Sequence, residues 1–183
     1  ICREKGVAHL AEAFRLLRRE PGMERVRLRL VGALTGPDER LARALRGELD
    51  AAGLGDALQL HPNVDREEKL RLLPGMTVLS VPAQYGEAFG LYVLEALATG
   101  VPVVQPREGP FPEIIEATGG GILVEPGNSK ALAQGLEEVL IDPRKGRILG
   151  QRGREAVFHE FSSRRMAEGM LEVFREALAV ARK

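Results

Sequence analysis

Two glutamates with seven residues between them, Glu87 and Glu95, stand where chemistry and local structure coincide in this sequence. The segment from Pro82 to Gly90 reads Pro-Ala-Gln-Tyr-Gly-Glu-Ala-Phe-Gly and runs straight into an apolar stretch, Leu91 to Thr99, that carries Glu95 and stops at Gly100. A helix starting here offers unpaired backbone N–H groups and the positive end of its dipole, and the glycines let a ligand approach the backbone, so its mouth favours a phosphate. Glu95 falls one turn inside that helix, so both carboxylates face one crevice if Glu87 turns inward. A carboxylate only accepts hydrogen bonds, which suits it to the vicinal hydroxyls of a ribose or a hexose. The simpler reading is that a glutamate near a helix start is favoured by the dipole whatever its function.

Other chemistries have fewer residues to work with. The three histidines, His9, His61 and His159, lie in different segments with no metal-pair spacing, and there is no Asp-x-Asp, so no metal site is expected. Cys2 is the only cysteine, which excludes an internal disulfide and every CxxC site and fits a reducing compartment.

The elements that must position the 82–90 loop follow from periodicity. Val7, Leu10, Ala11, Phe14 and Leu17 predict an amphipathic helix over 6–20, ended by Pro21-Gly22. Val26, Leu28 and Leu30 alternate with arginines as in a half-exposed strand. A helix over 38–52, a short strand over 57–60 and a capped helix from Asp65 to Leu73 follow. Thr77 to Val81 and Val101 to Val104 are continuous apolar runs, expected to be strands buried on both faces, with the Leu91–Thr99 helix between them. A helix over 112–117, a strand over 121–124 and helices over 129–140, 144–159 and 163–181 complete the pattern. This alternation predicts an α/β fold, a doubly wound parallel sheet with helices on both faces, whose ligands bind beyond the carboxyl ends of the strands.

Length and composition agree with one packed domain over 1–183, with 44% hydrophobic and 28% charged residues. The 26 bases and 26 acids cancel, which removes the electrostatic footprint of a generic nucleic-acid binder. No uncharged apolar stretch is long enough to span a membrane, and a start at Ile1 without Met suggests a piece of a longer protein. Residues 84–138 hold eight acids and two bases, and 142–165 hold seven bases and three acids. Two solvated faces explain that asymmetry, and a peripheral contact with an anionic membrane is the sharper alternative.

The stretch Glu87-Ala-Phe-Gly-Leu-Tyr-Val-Leu-Glu95, followed by Ala-Leu-Ala-Thr-Gly-Val-Pro-Val-Val, resembles the E-x7-E signature of retaining glycosyltransferases of the two-Rossmann-domain GT-B fold, specifically glycosyltransferase family four. Lys5-Gly6, Leu30-Val31-Gly32, Gly119 to Pro126 and Phe161-Ser162 resemble further family segments, so the similarity spans nearly the whole chain. The resemblance implies that this is the C-terminal, donor-binding half of such an enzyme, with no cofactor, a nucleoside-diphosphate sugar as donor, and a cytoplasmic location, at the inner membrane face for relatives with lipid acceptors. It makes Glu95 the ligand of the ribose hydroxyls and Glu87 the carboxylate that orients the transferred sugar. It assigns Lys5 to the diphosphate, with Arg3 as a candidate assistant. The N–H groups of Phe89, Gly90 and Leu91 would cradle the distal phosphate, and His61 to Val64 would line the base pocket. A fixed ammonium such as Lys5 would stabilise the charge that develops on the leaving diphosphate.

The sequence also departs from the family. The second basic residue of the Lys5 loop would precede Ile1, the first strand is reduced to Ile1 and Cys2, and the N-terminal Rossmann domain with its acceptor site is missing. Arg107-Glu-Gly-Pro-Phe-Pro-Glu113 replaces the usual Gly-Gly before Pro-Glu, and Pro110 has no N–H to give, which leaves Gly109 and Phe111 as amide donors there. Glu113 either touches the sugar or caps the next helix. A sugar-nucleotide epimerase or a glycan phosphorylase of the same fold, and a non-catalytic nucleotide-binding or interaction module, are the alternatives. None of the five lysines, Lys5, Lys69, Lys130, Lys145 and Lys183, stands in a recognisable pyridoxal phosphate motif, which counts against the phosphorylase.

Overall fold

In the computed structural model, which describes residues 1–181, helices and parallel strands alternate. The order is α1 (Val7–Leu17), β1 (Leu28–Gly32), α2 (Gly36–Ala51), β2 (Leu58–Pro62), α3 (Arg66–Leu72), α4 (Leu91–Ala98), β3 (Val103–Pro106), α5 (Phe111–Thr118), β4 (Gly121–Val124), α6 (Ser129–Leu140), α7 (Pro143–Glu160) and α8 (Ser163–Ala181). Several helix starts follow from side-chain caps. Asp65 accepts the Glu68 N–H, Asn128 accepts those of Lys130 and Ala131, and Asp142 accepts those of Arg144 and Lys145 ahead of α7, with Pro143 at the first helical position.

Among the described residues the strands form two separate two-stranded parallel sheets rather than the one continuous doubly wound sheet expected. β1 lies beside β2 with Leu28 opposite Leu58, and β3 lies beside β4 with Val103 opposite Gly121. The expected strand over Thr77–Val81 is reduced to a single bridge between Leu79 and Val103, and its residues are exposed or half-buried rather than covered on both faces. The physical reason is one-sided pairing. Leu79 exchanges hydrogen bonds with Pro102 and Val104 across β3, no strand among the described residues pairs with its other edge, and the Val81 N–H turns instead to the side chain of Gln105 at 3.2 Å. Val103 to Pro106 are all buried, as the apolar run predicts, with the strand shifted two residues toward its carboxyl end.

Three apolar clusters hold the layers together. One joins α1, α2, β1 and β2 around Phe14, Leu30 and Leu49. A second joins α1 and α6 through Leu17, Val104 and Leu136. The third surrounds α4, with Val93, Leu97, Val103, Phe111 and Ile114. The helix that carries Glu95 is anchored closely because α7 turns a stripe of small residues toward it. Gly146, Gly150 and Gly153 are buried, and a Cβ on Gly150 would come within 2.0 Å of the Gly100 carbonyl oxygen. α8 is different: Met166, Met170, Phe174 and Leu178 recur four residues apart along it, and all are exposed. No helix among the described residues is long and apolar enough to cross a membrane.

Candidate functional site

At the carboxyl ends of the strands three loops converge. Gly6, with φ of 70°, packs so tightly on Pro82 that a Cβ would meet the Pro82 carbonyl oxygen at 1.8 Å, which only glycine allows. The Gln84 N–H donates to the Glu4 carbonyl at 2.9 Å, so the loop of Lys5 and the loop of Glu87 are tied together. Gly109, with φ of 57°, brings the third loop in, where a Cβ would lie 3.3 Å from the Glu87 carbonyl oxygen. His9 braces the arrangement from α1. One ring nitrogen lies 2.9 Å from the Ser129 hydroxyl, and the other meets the Gln84 amide.

Glu87 turns inward at the mouth of α4. Its Oε2 accepts from Lys5 Nζ at 2.5 Å and from the Tyr92 hydroxyl at 2.9 Å, and its Oε1 accepts the Gly90 N–H at 3.2 Å. The Glu87 side chain is only 13% exposed. Burial alone would push its carboxyl up, but the hydrogen bonds from Lys5, Tyr92 and Gly90 and the Lys5 charge outweigh that and hold it below the ordinary range. Burial first, then the hydrogen bond and charge of Glu87, drive the Tyr92 phenol far above its usual value, so Tyr92 acts as a permanent donor. Lys5 Nζ also stands 5.3 Å from the centre of the Tyr92 ring, in cation–π range.

Glu95, the fifth residue of α4, is half-buried, and Lys69 of α3 donates to both its oxygens, at 2.7 and 2.9 Å. α3 starts just after Val64, which is half-buried at the end of the 61–64 stretch. That stretch is clasped to the end of β1 by Asn63, whose side chain accepts the Leu34 N–H at 2.9 Å and donates to the Leu34 carbonyl at 3.2 Å.

Of the residues singled out in the sequence, Lys5, Glu87, Phe89, Gly90, Leu91 and Gly109 gather around the mouth of α4, with Glu95 one turn inside it and Val64 just before the capped start of α3, which carries Lys69. Two expectations change. The Gly90 N–H is already donated to Glu87, which leaves the amides of Phe89 and Leu91, unbonded among the described residues, as the open donors of the helix mouth. The Phe111 N–H turns to the Glu108 carbonyl at 3.4 Å, because Pro110 bends the chain into a turn there. Arg3 is exposed, its carbonyl accepts the Gly6 N–H at 2.9 Å, and its side chain has no hydrogen-bond or ion-pair partner among the described residues, so nothing draws the guanidinium into the cluster. Glu113 is exposed in the first turn of α5.

Tyr92 and Lys69 were missed. Tyr92 is the polar-tipped member of an apolar run five residues after Glu87, a signal that a reading of the helix face would have found. Lys69 meets Glu95 across 26 residues, and no local pattern announces the contact. Among the described residues, no group of three or more His, Cys, Asp and Glu is placed to hold a metal ion.

This geometry can be set beside known proteins. The sequence pattern of the family described as Glycosyl transferases group 1 matches residues 1–156. The chain is 34% identical over 178 residues to an MMP alpha-(1->4)-mannosyltransferase of Mycolicibacterium hassiacum, covering 96% of the chain and 41% of that protein. In structure it superposes on a sucrose-phosphate synthase of Thermosynechococcus elongatus with a TM-score of 0.80 at 30% identity, covering 97% of this chain and 43% of the other. It also matches Anabaena HepE in complex with UDP with a TM-score of 0.81 at 21% identity, covering 95% and 46%. The chain thus spans about two fifths of the length of its relatives, and its fold is one half of the GT-B architecture. By sequence pattern and by identity, the chain belongs to the group 1 glycosyltransferases.

Proposed function

We propose that this chain is the donor-binding domain of a retaining, metal-independent glycosyltransferase, which moves a sugar from a nucleoside-diphosphate sugar to an acceptor. The observation that carries the reading is a carboxylate at the mouth of α4, Glu87, held below its ordinary pKa, and a second, Glu95, one turn inside the same helix, each gripped by a lysine. The relatives support it by name, one a mannosyltransferase and one a protein held in complex with UDP. The proposed unit covers residues 1–183, and its partner is an N-terminal Rossmann domain that supplies the acceptor site. The coverage of relatives supports that division.

In the proposed reaction the bond from the anomeric carbon to the diphosphate oxygen breaks, and the acceptor oxygen bonds to that carbon on the same face. The acceptor proton passes to the leaving phosphate. Lys5 moves from Glu87 to the diphosphate and offsets the charge that develops there, with the amides of Phe89 and Leu91 as further donors. Glu87 keeps the Tyr92 hydroxyl and the Gly90 N–H, which hold it in place while its remaining acceptor capacity meets the sugar hydroxyls.

The test is thermal unfolding with a panel of nucleoside diphosphates, with and without EDTA. A matching nucleotide is expected to stabilise the fold by up to about 2.7 kcal/mol at a hundredfold excess over its Kd, with no effect of EDTA. No shift with any nucleotide at saturating concentration refutes the donor-site reading, and a shift abolished by EDTA refutes its metal independence.

A further inference from the structure

Two of the five lysines are paired with the two glutamates of the candidate site, Lys5 with Glu87 and Lys69 with Glu95. Lys5 has a role in the reaction proposed above, whereas Lys69 has none. We propose that Lys69 is a positioning residue of the donor site, which holds the Glu95 carboxylate in the orientation that reads the ribose hydroxyls. This rests on the assignment of Glu95 to the ribose.

The contact is forked. One ammonium donates to both carboxylate oxygens, at 2.7 and 2.9 Å, in charge-assisted bonds that fix the plane of the carboxylate as well as its place. A carboxylate offers about four lone-pair positions, and Lys69 takes one on each oxygen. One on each oxygen stays open, the number that two vicinal hydroxyls need. A glutamate left to itself would have to give up its rotamer freedom when the ligand arrives, and Lys69 removes that freedom beforehand. The side chains are 35% and 33% exposed, and an ion pair so accessible to water adds little to stability, so the contact has little weight as a fold-holding feature. Lys69 also sits on the helix that starts after Val64, capped by Asp65 at 2.8 Å from the Glu68 N–H. The stretch assigned to the base and the residue that aims the ribose ligand therefore adjoin along the chain, joined through the capped start of α3.

The experiment is calorimetric titration of the protein and of K69L, K69R, E95Q and the K69L/E95Q pair with UDP, ADP and GDP, each beside its 2′,3′-dideoxy counterpart. K69L is expected to weaken the bound ribonucleotide about three- to tenfold and its dideoxy counterpart less than about twofold, with K69R recovering most of the loss. On the E95Q background, K69L is expected to change nothing further. Equal losses for both sugars would make Lys69 a general attractor of anions and overturn the proposal. So would tighter binding by K69L, which would make Lys69 a competitor of the ligand, and so would ribose discrimination left intact in K69L. If the unsubstituted protein binds none of these nucleotides, or binds ribo and dideoxy forms alike, the assignment of Glu95 fails and the role of Lys69 falls with it. That failure is distinguishable because it appears before any substitution.

Discussion

Replacing Tyr92 by Phe removes one oxygen and tests how Glu87 is held. The hydroxyl donates to Glu87 Oε2 at 2.9 Å, and the acceptor's side chain is 13% exposed, so the bond is neither loose nor fully wet. A hydrogen bond to a charged partner contributes about 1.5–3 kcal/mol and one between neutral groups about 0.5–1.5 kcal/mol. Lys5 and the Gly90 N–H remain in the variant, which places the expected loss at the low end, about 1.5 kcal/mol near neutral pH. In a domain of this size that lowers the Tm by roughly 3–6 °C. The pH dependence carries the sign. The folded Glu87 carboxyl lies below its unfolded value, so its ionisation stabilises the fold above the unfolded pKa, and that contribution is lost as pH falls through the folded pKa. Removing a bond that favours the charged form moves the folded pKa back up toward the unfolded one. The gap between the two proteins is therefore widest at neutral pH and narrows by about 1 kcal/mol once Glu87 is protonated. Urea unfolding of both proteins across the acid range measures it. A gap that stays constant with pH would mean that the hydroxyl acts on packing and not on the carboxylate.

Two further outcomes follow from the same geometry. Glu95→Gln is expected to weaken ribonucleotide binding by about 1.5–3 kcal/mol in calorimetry while leaving the Tm of the free protein nearly unchanged, and an unchanged affinity would remove Glu95 from the ligand's reach. Gly150→Ala drives a methyl group into the Gly100 carbonyl and is expected to cost at least about 1–3 kcal/mol of stability, whereas Gly47→Ala, with nothing within 4 Å of the added carbon on α2, is expected to gain about 0.5–1 kcal/mol. Urea titration of the two variants checks that opposite sign.

What the sequence made legible was whatever depends on near neighbours in the chain. The Asp65 cap three residues before Glu68, the apolar stripe of α1 and the passage from a glycine-containing loop into the helix of Glu95 are short-range features, and all appear. Reading Thr77–Val81 as a buried strand failed because apolar composition does not reveal whether a second strand stands beside it. Lys5 meets Glu87 across 82 residues and Lys69 meets Glu95 across 26, so only the folded chain shows that each carboxylate already has a cation. The amide of Gly90 illustrates the same limit. A helix mouth predicts open donors, and a side chain three residues earlier had already taken one of them.

The pairing of Lys5 with Glu87 and of Lys69 with Glu95 has a kinetic side. Two ammonium groups and two carboxylates sum to zero, so these four groups together project little field to steer a distant anion toward them. In the proposed donor site, a diphosphate would reach its lysine only after arriving and separating that lysine from its glutamate. Association should therefore be slower than in a site of bare cations, and its rate should change little between low and physiological ionic strength, even though the ligand carries several negative charges.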